Sequence, residues 1–286
     1  MQENTFERRT HSIAMNSPAA NCEPTAPPII TLTTDFGVGS PYVAAMRGVI
    51  LSINPQANVV DLTHAIAPQN IRQGALTLDE TTGWFPPGTI HVAVVDPGVG
   101  SLRQIVYAEI GGQRYVAPDN GLLGRLAQRT KPTKIVAVRE TEHWLPRVSA
   151  TFHGRDIMAP VAARLSLGLA PDRLGPATDR LVQLSWKEAL VLPGKIQGSV
   201  LSVDSFGNLI TDITETMLAA TPRDETVRIV CDEHETQGIF RAYSDQPACT
   251  LIALIGSSGQ LELAIVDDSA AAMLGIGPGA AVTVAW

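Results

Sequence analysis

Two kinds of hydrophobic pattern alternate along the first two thirds of the chain. Short runs rich in β-branched residues predict strands at residues 29–34, 59–62 and 90–95, and a hairpin that joins residues 104–110 to 113–117. Amphipathic segments between these runs predict helices from Pro41 to about Ile53 and over 71–82, and further helices that begin near Asn120 and Gly154. Strands that alternate with helices are typical of an α/β domain with a mostly parallel sheet.

The pattern changes after about Leu190, where Pro193 and Gly194 interrupt the chain. Short apolar strands separated by turns follow at residues 198–203, 209–213, 227–231, 251–255, 261–265 and 281–285. Such a succession predicts a compact all-β domain of barrel or sandwich type. We therefore expect a disordered leader over residues 1–27, an N-terminal α/β (Rossmann-like) domain over 28–190, and a C-terminal β-barrel-like domain over 191–286.

Composition excludes several functional classes. The 286 residues carry a net charge of −7 without a stripe of lysine and arginine, so a nucleic-acid partner is not expected. Every apolar run is far shorter than the ~18 residues of a membrane-spanning helix. The three cysteines form no CxxC pair, which favours a reducing cytoplasm and argues against a structural zinc site.

Asp96 lies where the predicted strand 90–95 gives way to a turn that contains Pro97, Gly98 and Gly100. In open α/β sheets ligands bind at the carboxyl ends of the strands, and glycines there let the backbone approach a ligand closely. Asp96 is thus a candidate for a ligand-binding or catalytic carboxylate. The alternative is an aspartate that bonds to the backbone of its own turn.

Two further residues are candidates for the same site. Asp35 ends the first predicted strand, where an acidic residue can accept the hydrogens of a ribose diol. His153 precedes a helix whose first turn carries Arg155 and Asp156. The alternatives are a turn aspartate, and a histidine that only caps or packs. The glycines match neither GxGxxG nor GxxxxGK[ST], so a phosphate-binding loop is not predicted.

Two turns of the C-terminal segment carry side chains that suit ligand binding. Phe206 can stack on a planar ring and Asn208 can form hydrogen bonds with the edge of a base. The residues of this turn on their own favour an ordinary β-turn built on Gly207. The sequence GSSG at 256–259 offers backbone and hydroxyl donors from Ser257 and Ser258, or again an ordinary turn.

Nine short motifs together resemble one enzyme family. They are TTDFG at 33–37, SPY at 40–42, INP at 53–55, VDLTH at 60–64, VVDPGVG at 94–100 with Arg103, PDNG at 118–121, TFHGRD at 151–156, DSFGN at 204–208 and GSSGQLELA at 256–264. In this order they resemble the S-adenosyl-L-methionine (SAM) hydroxide adenosyltransferases, the SAM hydrolases, which are related to the fluorinases and chlorinases. The resemblance covers about residues 29–286.

The resemblance implies hydrolysis of SAM to adenosine and L-methionine by a homotrimer whose sites lie between neighbouring subunits, with no cofactor. The implied catalytic triad is Asp96, Arg103 and His153. The implied substrate-binding residues are Asp35 for the ribose diol, Asp204 for the methionine ammonium, Phe206 and Asn208 for adenine, Ser257 for the methionine carboxylate, and in addition Phe152, Ser258 and Glu262. Residues 266–269, VDDS, depart from the Asn and Gly residues that many relatives have there.

Relatives that use fluoride resemble this chain but carry Tyr, Thr and Ser where Asp96, Val99 and Gly154 stand. An anionic carboxylate in a pocket of low dielectric constant repels a halide, so halogenation is disfavoured. Two alternatives stay open, a protein that binds SAM or adenosine without turnover and a halide-dependent synthase of 5′-halo-5′-deoxyadenosine. A metal-dependent hydrolase ranks below both, because no HxxxH pair or carboxylate cluster at ligand spacing is present.

The expected mechanism follows from the charge of the substrate. Attack at the ribose C5′ releases a neutral thioether from the sulfonium, so the leaving group needs no general acid. We expect Arg103 and His153 to hold the attacking water, and Asp96 to orient them as an anion. A carboxylate paired with an arginine is a weak base, so proton removal by Asp96 alone is not expected.

Overall fold

The computed structural model describes residues 26–286, which form two β-sheets with five short α-helices. The first sheet contains β1 (Ile29–Thr34), β2 (Asn58–Thr63), β3 (Ile90–Val94), β4 (Ile105–Ile110), β5 (Gln113–Pro118) and β6 (Lys134–Ala137). The helices of this part are α1 (Pro41–Ile53), α2 (Ile71–Thr81), α3 (Gly124–Arg129) and α4 (Ala159–Ser166). The predicted leader, 1–27, lies almost entirely outside the described residues.

The first sheet has the strand order β2-β1-β3-β5-β4-β6. Only β4 runs against the others, because it is antiparallel to both β5 and β6 while β2, β1, β3 and β5 are mutually parallel. Helices α1 and α4 pack on one face through residues such as Met46 and Val161. Helix α2 packs on the other face through Leu78. The predicted α/β class with a mostly parallel sheet is therefore confirmed.

The second sheet is antiparallel and nearly closed. It contains β7 (Leu190–Leu192), β8 (Lys195–Val203), β9 (Leu209–Thr214), β10 (Arg228–Cys231), β11 (His234–Gln237), β12 (Leu251–Ile255), β13 (Gln260–Ile265) and β14 (Ala281–Ala285). Its order is β11-β10-β14-β8-β9-β13-β12, with β7 beside β8. The two end strands meet where the Thr236 hydroxyl donates to the Leu251 carbonyl at 2.7 Å, and helix α5 (Ala270–Leu274) connects β13 to β14. The barrel-like prediction is confirmed, whereas the division at residue 190 stays a prediction.

Several boundaries differ from the pattern-based prediction. The helix expected near Asn120 begins at Gly124, because residues 118–121 form a turn whose side chains bond to neighbouring loops. The helix expected at Gly154 opens with a π-helical turn, Gly154–Met158, before α4. Strands β6, β7 and β11 and helix α5 were not predicted, since three to five residues are too few for a clear period.

A strap of residues 175–189 connects the two sheets without regular structure of its own apart from one bridge to β6. Arg72 donates to the Ser185 carbonyl at 2.7 Å. The guanidinium groups of Arg72 and Arg125 both lie over the Trp186 ring, each 5.1 Å from its centroid. These contacts fix the strap on α2 and α3. Among residues 26–286, no helix has the length and apolar character needed to cross a membrane.

His91, on β3, is a fully buried ionisable group in the middle of the first sheet. Its Nδ1 lies 2.7 Å from the Thr31 hydroxyl, and its ring stacks on Tyr115 at a centroid distance of 5.1 Å. Burial lowers the pKa of His91 from 6.5 to about 4. The folded protein therefore holds this imidazole neutral at pH values where the unfolded chain protonates it.

We predict that acidification destabilises the fold through His91. Because the folded state binds fewer protons than the unfolded state below pH 6.5, the free energy of unfolding falls as the pH is lowered, by an amount that approaches about 3 kcal/mol near pH 4. Denaturant unfolding of the wild type and His91→Gln at pH 7.0, 5.5 and 4.5 measures the effect. An equal pH slope in the two proteins contradicts the prediction.

Candidate active site

The carboxyl ends of β1 and β3 meet at one edge of the first sheet, because these strands are parallel neighbours. Asp35 follows β1 directly. Because β3 ends at Val94 rather than at Val95 as predicted, Val95 lies between the strand and Asp96. Asp35 and Asp96 both line a cavity of about 280 Å³, the front pocket. Its other lining residues are Phe36, Gln69, Val94, Pro97, Val99, Thr151, Phe152, His153 and Gly154.

Asp96 forms an ion pair with Arg103, which does not line the front pocket but borders a neighbouring cavity of about 280 Å³ together with His153. The Arg103 Nε lies 2.9 and 3.0 Å from the two carboxylate oxygens of Asp96, and Nη2 donates to Oδ2 as well. The side chains of Asp96 and Arg103 are only 4% and 11% exposed. A paired, two-point contact of this kind fixes both groups in orientation as well as in distance.

Arg103 also contacts His153, which completes the sequence-predicted triad. Its Nη2 lies 3.0 Å from the Nδ1 of His153. A guanidinium can only donate hydrogen bonds, so Nδ1 accepts and the proton of the neutral ring resides on Nε2. Burial, followed by the positive charge of Arg103, lowers the pKa of His153, while Asp96 raises it less. His153 is thus a neutral imidazole at pH 7, with Nε2–H as its remaining donor.

The segment around His153 is held by its own motif, TFHGRD. Asp156 is fully buried and accepts the Ser149 backbone N–H at 2.8 Å and the Arg155 Nε at 2.6 Å. The Arg155 guanidinium lies over the Phe152 ring, 4.8 Å from its centroid. Arg155 and Asp156 therefore fix the turn that carries His153.

Two glycines let the loops that bear the triad approach one another. Gly100 has φ of +78°, and a Cβ there would overlap the Ala150 carbonyl. At Gly154 a Cβ would lie 3.2 Å and 3.3 Å from the two methyl carbons of Val94 and 3.4 Å from the Met46 sulfur. Larger residues at either position would push the His153 segment away from the end of β3.

Asp35 is positioned by a residue that the sequence did not single out. Its carboxylate accepts the backbone N–H of Gln69 at 2.8 Å. Gln69 has φ of +64°, an uncommon conformation for a residue with a side chain, and it lines the front pocket. The aromatic rings of Phe36, Tyr42 and Phe152 pack together beside this carboxylate, with centroids 5.1–5.8 Å apart.

A second group of predicted residues lies in the β-barrel-like part, around Asp204. The Asp204 carboxylate accepts the backbone N–H groups of Phe206 and Asn208 at 2.9 and 2.8 Å, so the turn interpretation of this motif is correct at the level of local structure. Asn208 also donates to Asp204 at 3.0 Å. Phe206 is 78% exposed, which leaves its ring free to contact a ligand or another surface.

Tyr243 and Glu262 extend this group. The Tyr243 hydroxyl donates to Glu262 at 2.9 Å and lies 3.4 Å from the Asn208 side-chain nitrogen. Burial, and then Glu262, raises the pKa of Tyr243 to about 12, and burial raises the pKa of Glu262. A Cβ at Gly256 would overlap the Glu262 carboxyl group, so the GSSG turn packs directly on this side chain.

The structure does not bring these barrel residues to the front pocket of the same chain. None of Asp204, Phe206, Asn208, Ser257, Ser258 and Glu262 lines it. Ser257 and Ser258 instead border a cavity of about 620 Å³ that also contacts Asp79, Trp84 and Arg129. One chain therefore carries two separate groups of candidate residues, which we call the front half-site and the barrel half-site.

Three residues of these half-sites were missed by motif analysis. Tyr42 lies within the motif SPY, so a signal was present although its aromatic packing was not foreseen. Gln69 acts through its backbone, and Tyr243 lies outside every motif, so neither carried a sequence signal. Among residues 26–286 no group of three or more His, Cys, Asp or Glu side chains is arranged to hold a metal ion.

We predict opposite shifts of the His153 pKa when its two charged neighbours are removed. Arg103→Met takes away a positive charge and raises the pKa, whereas Asp96→Asn takes away a negative charge and lowers it further. NMR titration of the imidazole resonances, with His153→Gln to assign the signal, measures both shifts. Shifts of the same sign in the two variants are incompatible with the described geometry.

Comparison with known proteins identifies the family. A family model of the SAM hydroxide adenosyltransferase N-terminal domain matches residues 30–175, and that of the C-terminal domain matches residues 198–283. A crystal structure of an uncharacterized conserved protein from Thermotoga maritima has a TM-score of 0.85 at 33% identity, and the match covers 90% of this chain and 100% of that one.

Named relatives agree with the family models. A protein named (R)-S-adenosyl-L-methionine hydrolase from Salinispora arenicola is 37% identical over 255 residues, which are 88% of this chain and 95% of that protein. The protein of the same name from Thermus thermophilus is 37% identical over 254 residues, 86% of this chain and 95% of that protein. A fluorinase from Actinopolyspora mzabensis is 28% identical over 235 residues, 72% of this chain and 79% of that protein. Both half-sites and most strands of the two sheets thus lie within matched regions, and the chain belongs to the SAM hydroxide adenosyltransferase family.

Proposed function

We propose that this protein hydrolyses S-adenosyl-L-methionine to adenosine and L-methionine by attack of water at the ribose C5′. The observation that carries the proposal is the Asp96–Arg103–His153 triad, of which Asp96 and His153 line one pocket with Asp35, in a chain whose named relatives are hydrolases of (R)-S-adenosyl-L-methionine. In this proposal Asp35 accepts the hydrogens of the ribose diol, and Phe152 contributes to the pocket wall.

The triad supplies donors to the water oxygen. Arg103 uses Nε and Nη2 on Asp96 and His153, and its Nη1 makes no hydrogen bond within the described part of the chain, so Nη1 is available for a water molecule. The Nε2–H of His153 is a second donor. A water that accepts one of these hydrogen bonds keeps its second lone pair for the electrophilic carbon, and a hydroxide that accepts both keeps a third. The cationic guanidinium stabilises the negative charge that develops as the water loses its proton.

Asp96 acts in this scheme as an anionic anchor. Both its oxygens accept hydrogen bonds from Arg103, so it is poorly placed to remove a proton from water at the same time. The departing sulfur leaves as a neutral thioether and needs no proton. The proton released by the attacking water therefore passes to solvent as the C5′–O bond forms, because the Nε2 of His153 already carries a proton and its Nδ1 accepts from Arg103.

Halide chemistry fits the front pocket less well. The pocket presents the Asp96 carboxylate, the Val99 alkyl group and Gly154, so it holds one fixed negative charge and no hydroxyl at these three positions. A halide would have to lose its hydration shell next to a buried carboxylate, which is electrostatically unfavourable.

The separation of the two half-sites supports a homotrimer in which each site joins two subunits. We propose that Asp204, Phe206, Asn208, Ser257, Ser258 and Glu262 of one subunit close over the front half-site of its neighbour and hold the adenine and methionine portions. Val38 and Leu102, on loops beside Asp35 and Arg103, are exposed apolar side chains of the kind that an interface covers.

Two further expectations remain part of the proposal. The described cysteines, Cys231 and Cys249, form no disulfide with each other, which fits a reducing compartment, and we propose the cytoplasm as the location. We also propose that the two domains meet near residue 190, where β7 begins after the strap.

The proposed reaction predicts the origin of the adenosine 5′ oxygen. Incubation with SAM in ¹⁸O-water should give adenosine that carries ¹⁸O at C5′, measured by mass spectrometry. Asp96→Asn keeps the size of the side chain but removes the anion that orients Arg103, so we expect kcat to fall by about a hundredfold or more.

Glu233→Gln, on the exposed turn between β10 and β11, does not line the front pocket; it is the charge-matched control and should keep full activity. Unlabelled adenosine would reject attack of water at C5′. SAM binding without product would favour the binding protein, and 5′-halo-5′-deoxyadenosine formed in the presence of chloride or fluoride would favour the halide-dependent enzyme.

The shared site predicts complementation between two inactive variants. Asp96→Asn disables the front half-site, and the double variant Phe206→Ala with Asn208→Ala disables the barrel half-site. When the two variants are co-expressed in equal amounts and assemble at random, about a quarter of all sites combine two intact halves, so activity should return to about a quarter of the wild-type value. If each site lies within one chain, the mixture stays inactive.

A further inference from the structure

The turn Pro118–Gly121, the PDNG turn, occupies a central position at the edge that bears the front half-site. It follows β5, which lies between β3 and β4 in the sheet. Because β3 and β5 are parallel and β4 is antiparallel to β5, three chain segments meet at this edge: the end of β3, the end of β5 and the beginning of β4. Asp96 follows the first of these strands and Arg103 precedes the third.

The PDNG turn forms hydrogen bonds with both of these neighbours. The Asn120 side-chain nitrogen donates to the carbonyl of Val95, the residue before Asp96, at 2.8 Å. The backbone N–H of Asp119 donates to the carbonyl of Gln104, the residue after Arg103, at 2.9 Å. The two residues of the catalytic ion pair are thus tied, one on each side, to a single turn.

The turn itself is held from two directions. On the inner side, the Asn120 Oδ1 accepts the backbone N–H of Leu122 at 3.3 Å. On the outer side, the Asp119 carboxylate accepts the backbone N–H of Val182, in the strap, at 2.8 Å. Gly121 has φ of +108°, and a Cβ there would lie 2.6 Å from the Leu184 side chain, so the strap lies directly against it.

We propose that Asn120 is a positioning residue for the reaction: it fixes the main chain at Val95 so that Asp96 meets Arg103 in the geometry that presents Arg103 to His153 and water. This inference rests on the proposed hydrolytic function. Asn120 does not line the front pocket, and its side chain forms hydrogen bonds with the backbone of Val95 and Leu122 rather than with the triad side chains. Its effect is carried by the backbone of β3, one residue before Asp96.

The expected consequence is a loss of turnover without loss of substrate binding. A catalytic group displaced by about 1 Å can cost about a hundredfold in rate, whereas the ribose carboxylate Asp35 is held separately through Gln69. Removal of the Asn120 amide should therefore lower kcat while KM for SAM changes little. A purely structural role would instead lower the fraction of folded enzyme and leave kcat per folded molecule unchanged.

Asn54 provides a matched control for the experiment. Its side-chain nitrogen donates to the Ser166 hydroxyl at 2.8 Å and its Oδ1 accepts the backbone N–H of Gln56 at 3.1 Å, so it makes one long-range and one local bond as Asn120 does. Asn54 follows α1 and is only 2% exposed. Asn54 lies between the end of α1 and the start of β2. Because β1 and β2 are parallel, the start of β2 is at the edge of the sheet opposite to the carboxyl ends that carry the front half-site.

The test compares Asn120→Ala with Asn54→Ala in SAM hydrolysis, well below the melting temperature of each variant. We expect kcat of Asn120→Ala to fall about tenfold or more with KM within about threefold of the wild type. Asn54→Ala should melt at a lower temperature and keep kcat within about twofold. A normal kcat in Asn120→Ala, or an equal loss in both variants, overturns the assignment.

A second measurement does not depend on turnover. If the Asn120 amide aligns Asp96 and Arg103, its removal weakens the contact between Arg103 and His153, and the NMR-measured pKa of His153 rises by about half a unit or more. The same titration of Asn54→Ala should match the wild type. If the pKa of His153 in Asn120→Ala equals that of the wild type, the inference about Asn120 is overturned. A wild-type enzyme that forms no adenosine would instead reject the hydrolytic function alone, and the pKa comparison would still test the role of Asn120.

Discussion

The ion pair between Asp96 and Arg103 is the interaction on which the rest of the front half-site depends. Both groups are almost removed from solvent, and a charge buried in this way is costly unless its partner is well aligned. The guanidinium satisfies this requirement with two of its nitrogens and then contacts His153 with one of them. The tautomer of the imidazole is therefore set by the same arginine side chain that neutralises the carboxylate.

The hydrogen bonds that stabilise the buried charges of Asp96 and Arg103 also fix the orientation of the groups proposed for catalysis. The oxygens of Asp96 and the Nδ1 of His153 all accept from Arg103, so the half-site offers donors and a fixed positive charge to a water molecule. The loops that bring the three residues together come from three separate places in the chain, after β3, before β4 and before α4. Their close approach depends on Gly100 and Gly154, where no side chain occupies the space between the loops.

Sequence patterns predicted the architecture better than its details. The β-branched runs located β1, β3 and β5 within a residue or two, because long regular strands leave a clear signal. Helix α3 was expected near Asn120 but begins at Gly124, because Asn120 is engaged with Val95, a contact between residues 25 positions apart that no local pattern contains. Short strands such as β11 were not predicted, because four residues are too few to show a period of alternating polarity.

The motifs identified most of the candidate residues, but they did not predict that these residues form two separate half-sites within one chain. Asp35, Asp96 and His153 line one pocket, while Asp204 and Asn208 form a cluster with Tyr243 elsewhere. Spacing along a chain does not state whether two motifs meet within one molecule or between copies. Gln69 could not be predicted for a different reason. It contributes a backbone N–H that its positive φ directs to Asp35, and every residue except proline has such a group, so the residue type does not indicate this role.

The tight packing around Gly154 joins the pocket to the core of the first sheet. Any side chain at this position would bring its Cβ to 3.2–3.4 Å from Val94 and Met46, so these neighbours would have to shift by a few tenths of an ångström. Val94 belongs to β3 and Met46 to α1. A redesign of the front half-site at residue 154 therefore has to repack β3 and α1 at the same time, because the pocket wall and the core share these side chains.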